Sequence, residues 1–144
     1  MYYTNAMDTQ DKHILWVEDD DELASLFVAQ MKKDGLQVDR VENGEKALTV
    51  LNELHPDLVL VDLMLPNMSG FELIKTIRSS TNVGQPKILI LSAMGHPGDE
   101  VKALDLGADD YMVKSQVSLS QIIQTIRRYL DQPNVTTTGA AAAS

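Results

Sequence analysis

The sequence predicts an α/β fold: a doubly wound, five-stranded parallel sheet with five helices. Three observations predict it. Apolar runs of strand length, such as Leu58-Val59-Leu60-Val61, alternate with longer stretches whose apolar residues recur at helical spacing. The alternation holds along nearly the whole chain, and strands that alternate with helices pair in parallel with helices on both faces. Four of the runs end on a polar or charged residue, at the edge of the sheet where such folds bind ligands.

In chain order, residues 1–11 are polar and unpatterned, with Met7 a candidate second start, and are expected to form a disordered leader or cloning remnant. His13 to Val17 is the first strand and runs into Glu18-Asp19-Asp20-Asp21-Glu22. A helix from about Asp21 places Leu23, Leu26, Phe27 and Met31 on one face and stops at Asp34-Gly35. Leu36 to Val41 is a more polar strand, expected near an edge. Asn43-Gly44-Glu45 opens a helix with Ala47, Leu48, Leu51 and Leu54 inward, ended by His55-Pro56 because proline disfavours helix in the residue before it.

Leu58 to Val61 is the central strand, apolar enough to be buried on both faces, and it ends on Asp62. Pro66 stiffens the following loop, and Ser69-Gly70-Phe71-Glu72 has the capping-box pattern of a helix start. That helix runs from Gly70 to about Ser79 with Phe71, Ile74 and Ile77 inward. Lys87 to Leu91 is a buried strand ended by Ser92. A helix around Asp99 to Leu106 closes at Gly107, and Tyr111 to Val113 is a short last strand ended by Lys114. Ser118 and Gln121 cap the final helix, whose inner stripe is Leu119, Ile122, Ile123, Ile126 and Leu130. Residues 12–132 thus form one domain, and residues 133–144 read as a flexible tail or linker. Right-handed crossovers leave the flavodoxin-like strand order 2-1-3-4-5 as the natural topology.

Bulk properties narrow the function. The 144 residues suffice for one core, and no apolar run is long enough to span a membrane. The absence of cysteine excludes disulfides and thiolate metal sites and fits a reducing cytoplasm. A net charge of −9 argues against a basic nucleic-acid-binding face. There is no Gly-x-Gly-x-x-Gly and no Walker lysine motif, so dinucleotide and nucleotide binding lose their main support.

The strand ends carry the chemistry. Glu18 and Asp19 from the first strand, Asp62 from the third, Ser92 from the fourth and Lys114 from the fifth converge on one edge of such a sheet. Clustered carboxylates raise one another's pKa, and a hard divalent cation relieves the repulsion. The amine and hydroxyl suit an anion arriving beside the metal. Metal, anion pocket and carboxylate nucleophile together point to phosphoryl transfer onto an aspartate.

Four segments carry a family resemblance: Val17-Glu18-Asp19-Asp20, Val61-Asp62-Leu63-Met64-Leu65-Pro66-Asn67-Met68-Ser69-Gly70, Leu91-Ser92-Ala93 and Gly107-Ala108-Asp109-Asp110-Tyr111-Met112-Val113-Lys114. In this order, each at a strand end, they resemble the receiver domain of two-component response regulators, the family of the chemotaxis regulator. The resemblance implies that Asp62 is the phosphoacceptor, taking its group from a histidine kinase, a histidine phosphotransfer protein or a small acyl phosphate. It implies Mg²⁺, or Mn²⁺ in its place, on Asp19, Asp62 and the backbone carbonyl of Met64, with Glu18 acting through metal-bound water. Lys114 is implied to pair with a phosphoryl oxygen. Ser92 is implied to move toward the phosphoryl group while Tyr111 swings inward, altering the face of the fourth helix, last strand and last helix for an effector.

Such a domain is a cytoplasmic switch rather than an enzyme with an external substrate. Its own phosphorylation and hydrolysis are its only catalysis, and it binds neither nucleic acid nor membrane directly. The positions that tune hydrolysis in the family are Met64 and Met94, and two apolar side chains there imply slow hydrolysis. The sequence departs from the family in two places. Ser115 replaces the usual proline after Lys114, and a cis bond before a non-proline residue costs ~3–4 kcal/mol, so a trans bond and a shifted loop are expected. Ser120, Gln121 and Gln124 lack the charges by which some members pair through the last helix.

Simpler roles account for other residues. Asp20, Asp21 and Glu22 are expected only to cap a helix, Trp16 to be core, and His13, His55 and His96 to have no catalytic part. Two alternative functions stand beside the switch. One is a pseudo-receiver, an interaction module independent of phosphorylation. The other is an aspartyl-phosphate phosphohydrolase, disfavoured because Met64 stands where a second aspartate would act.

Overall fold

The computed structural model describes residues 12–93 and 96–132. The leader at 1–11, the tail at 133–144 and Met94 lie outside the described residues. The strands are β1 (His13–Val17), β2 (Gln37–Val41), β3 (Leu58–Val61), β4 (Lys87–Ser92) and β5 (Asp110–Val113). Between and after them run α1 (Asp21–Lys33), α2 (Gly44–Leu54), α3 (Gly70–Ser79), α4 (Asp99–Leu106) and α5 (Leu119–Leu130). All strand pairs are parallel, and the order β2-β1-β3-β4-β5 is the expected one.

Strand periodicity splits the core into two layers. Ile14, Trp16, Leu58, Leu60, Leu89 and Leu91 face α1 and α5. Leu15, Val17, Val59, Val61, Ile88 and Ile90 face α2, α3 and α4. All twelve are at most 1% exposed, as strands covered on both faces require. Trp16 is core as expected, stacked on Phe27 with ring centroids 5.5 Å apart.

Helix faces need correction at three positions. Leu26 is 66% exposed, because the inward stripe of α1 is Ala24, Phe27, Val28 and Met31, and a residue two places past Ala24 lies across the helix. Leu54 is 37% exposed at the last position of α2, where His55 turns the chain in the left-handed conformation. Phe71 is only half-buried, under Lys102 at 4.2 Å, and Leu73 takes the buried place beside Ile74 and Ile77. Strand ends move by one residue: β2 starts at Gln37, β4 includes Ser92 and β5 starts at Asp110. Asp20 caps α1 by accepting from the Leu23 amide, and Ser69 and Ser118 close capping boxes with Glu72 and Gln121. The Lys114–Ser115 peptide is trans and opens a 3-10 turn, Lys114–Gln116.

Candidate functional site

The site lies where the connections from the sheet diverge. β1 is followed by a crossover to β2 on one side, and β3 stands on its other side, so a crevice opens beyond their carboxyl ends. Glu18 and Asp62 are the first residues past β1 and β3, and the ladder continues into both. The Glu18 amide donates to the Val41 carbonyl at 3.0 Å, and the Asp62 amide donates to the Val17 carbonyl at 3.2 Å. The two acids therefore leave the sheet side by side, 1% and 4% exposed, while Asp19 is exposed.

Lys114 closes the pocket. It follows β5 directly, and its Nζ donates to Glu18 Oε1 at 2.7 Å and to Asp62 Oδ2 at 3.2 Å. Asp62 Oδ1 accepts from the Met64 amide at 3.0 Å, so backbone and lysine hold both carboxylate oxygens. Burial raises the Glu18 carboxyl above its usual value, outweighing the Lys114 hydrogen bond, the Asp20 backbone bond and the Lys114 charge. Burial alone would lower the Lys114 ammonium. Its hydrogen bond to Glu18 and the fields of Asp62 and Glu18 carry it above the usual lysine value instead, so it stays charged at neutral pH.

Carboxylate oxygens of Glu18, Asp19 and Asp62 lie within 4.8 Å of one another. Three hard anionic oxygen donors at this separation, two of them buried, suit a hard divalent cation such as Mg²⁺. Ser92, at the end of β4, is 1% exposed. The Tyr111 hydroxyl is near it, and burial, then the nearby Asp99, push that hydroxyl above the ordinary tyrosine value against the lowering effect of Ser92. Met64 is 60% exposed beside the pocket. His13 begins β1, at the opposite edge of the sheet.

One glycine shapes the rim and another the turn that leads into β5 from the opposite end of the sheet. A Cβ on Gly70 would lie 2.6 Å from the Asp62 carbonyl oxygen and 2.7 Å from the Leu63 Cα, so only glycine lets α3 start against the loop that follows the acid. Gly107 has φ +119, and a Cβ there would meet Arg78 Cγ at 2.6 Å. Sequence reasoning missed that arginine. Arg78 donates to the carbonyls of Gly107 and Pro86, both at 2.8 Å, and to Asp109 Oδ2 at 3.0 Å. Asp109 Oδ2 also accepts from the Ile88 amide at 2.8 Å. The turn that delivers Tyr111 and Lys114 is thus pinned to the start of β4. The only signal was the charge of Arg78 at the end of an amphipathic helix, where arginine is unremarkable.

The site brings Glu18, Asp19, Asp62 and Lys114 together, with Ser92 and Tyr111 near each other on β4 and β5. Residues 14–127 match the response regulator receiver domain family. The DNA-binding response regulator MtrA of Mycolicibacterium smegmatis is 36% identical over 130 residues, covering 88% of this chain and 56% of the relative. A probable transcriptional regulator, ycf27, of Cyanophora paradoxa is 32% identical over 92% of this chain and 55% of its own length. The chain spans about half the length of these relatives.

Among solved structures, the BeF3-activated N-terminal receiver domain of Klebsiella pneumoniae RstA superposes with a TM-score of 0.77 at 30% identity, covering 84% of this chain and all of that one. The receiver domain of the sensor histidine kinase PA1611 of Pseudomonas aeruginosa, which holds a magnesium ion in its active site cleft, gives 0.75 at 26%, covering 84% of this chain and 98% of that one. Family match, relatives and fold agree: the chain belongs to the response regulator receiver domains of two-component systems.

Proposed function

We propose that this domain accepts a phosphoryl group on Asp62 and uses it to switch a protein-binding face. One observation carries the reading. The buried polar side chains among the described residues are Glu18, Asp62 and Ser92, and all three stand at the carboxyl ends of adjacent strands. Burying such groups opposes folding unless they are paired or used, and only a shared site explains why they gather in one place.

In the reaction, an Asp62 carboxylate oxygen attacks the phosphorus of a phosphohistidine on a kinase or phosphotransfer protein, or of a small acyl phosphate. The new O–P bond forms as the P–N or P–O bond breaks, and the leaving group keeps the electron pair. Glu18, Asp19, Asp62 and the Met64 carbonyl would hold Mg²⁺, which would neutralise charge on the phosphoryl oxygens. Lys114 exchanges its contact with Asp62 for a phosphoryl oxygen. Ser92 donates its hydroxyl to another, and Tyr111, on the neighbouring strand, passes that movement to the face built from α4, β5 and α5. Water attack on phosphorus later returns phosphate and free Asp62, slowly, because exposed Met64 offers no group to orient or deprotonate the water.

In this reading the domain works in the cytoplasm, with a kinase upstream and an effector downstream. The test is to incubate the domain with Mg²⁺ and acetyl phosphate and follow intact mass and Trp16 fluorescence. Mg²⁺-dependent addition of one phosphoryl group, abolished in Asp62→Asn, is expected. No addition to a folded domain, or equal addition to the variant, overturns the reading. A phosphoryl lifetime of seconds would overturn the slow hydrolysis alone.

A further inference from the structure

The loop that carries Glu18 and Asp19 is held from outside the pocket by one side chain, Arg40 of β2. Pairing of β1 with β2 ends at Val17 and Val41. The Glu18 amide still finds the Val41 carbonyl, but the Glu18 carbonyl lies beyond the last strand partner. Arg40 supplies the donor that the strand cannot, its Nε reaching the Glu18 carbonyl at 2.8 Å. Its Nη1 donates to Asp21 Oδ1 at 2.7 Å. One guanidinium therefore grips the loop on both sides of Asp19. Beyond these and the Lys114 contact inside the pocket, the loop is held by its own groups: the Asp20 amide donates to Glu18 Oε2 at 3.1 Å, and the Asp20 carboxylate caps α1.

We infer that Arg40 is a positioning residue for cation binding, fixing the Glu18–Asp21 loop so that Asp19 meets Asp62 without Arg40 itself entering the pocket. Its chemistry fits that task. A planar fork presents separate N–H groups to a carbonyl and a carboxylate in fixed geometry, where a lysine offers one compact ammonium on a flexible stem. The Arg40 contact with Asp21 ties the first turn of α1 to β2. Arg40 Nη2 is buried with no hydrogen-bond partner among the described residues, so the guanidinium's contacts with the protein are the two to the loop.

The inference rests on the proposed cation site, and its test separates the two. Arg40→Met keeps the aliphatic stem and removes the fork; Arg40→Lys keeps the charge. Val38→Ala, a buried truncation on the same strand opposite Ile14, is the stability control. Amide hydrogen exchange at Glu18 and Asp20 is measured in metal-free protein, and Mg²⁺ affinity by calorimetry. Arg40→Met is expected to speed exchange of both amides and to weaken Mg²⁺ about tenfold, the usual range for losing a group that orients a ligand. Arg40→Lys should restore neither fully, and Val38→Ala should change neither. Unchanged loop exchange in Arg40→Met, or equal acceleration in Val38→Ala, overturns the inference. If the parent domain binds no Mg²⁺, the reading of the site falls, and loop exchange still decides whether Arg40 positions it.

Discussion

The bodies of the strands and their carboxyl ends differ by a single residue step, and in kind. Val17 and Val61 are fully buried and apolar, while Glu18 and Asp62, next in the chain, are nearly as buried and charged. The bodies satisfy their backbone through the ladder and their side chains through packing. The ends satisfy theirs through one lysine, one backbone amide and a short loop. Burial thus serves stability in the first region. In the second it works against ionisation, and the raised Glu18 carboxyl records that. The same sheet supplies a rigid base and, at its rim, groups whose energies a cation or phosphoryl group can change.

The largest effect that tests this division belongs to the bodies. Leu60→Ala, two residues before Asp62, should cost about 2–5 kcal/mol in denaturant unfolding, as truncations in tight cores do. The fraction that remains folded should still take up phosphoryl groups, and loss of uptake in folded protein would break the division.

The next effect concerns pH. An acid whose pKa is raised by folding holds its proton more tightly when folded, so its ionisation opposes the fold. For Glu18 that penalty is absent below the usual 4.5 and complete once pH exceeds the raised value. Metal-free protein should therefore lose stability through that window relative to Glu18→Gln, seen as a converging difference in melting temperature as pH falls. A difference independent of pH would show that the pocket does not penalise this charge. The smallest effect lies outside both regions. Ser118→Ala removes the cap of α5 and should cost about 1 kcal/mol in thermal unfolding without moving Mg²⁺ affinity.

Much of this could be read before any coordinates. Strand and helix identities followed from periodicity, and caps such as Ser69 and Ser118 from their own short patterns. Glu18, Asp62, Ser92 and Lys114 stood out because each interrupts or ends an apolar run. The errors fell where the information was not local. Leu26 is as apolar as Phe27, and only the angle at which α1 meets the sheet turns one outward and the other in. Arg40 and Arg78 carry no local mark at all, since each acts on a segment distant in sequence.

The sequence by itself determined the class of fold, the order of its elements and the chemical types gathered at one edge, because periodicity and strand length are properties of neighbouring residues. Only the tertiary structure decided that Lys114 bridges Glu18 and Asp62, that Arg40 holds the loop bearing Glu18, and that Arg78 holds the turn that leads into β5. Those are contacts across long separations in the chain. They exist only once strands β1, β3, β4 and β5 lie in parallel with their ends aligned.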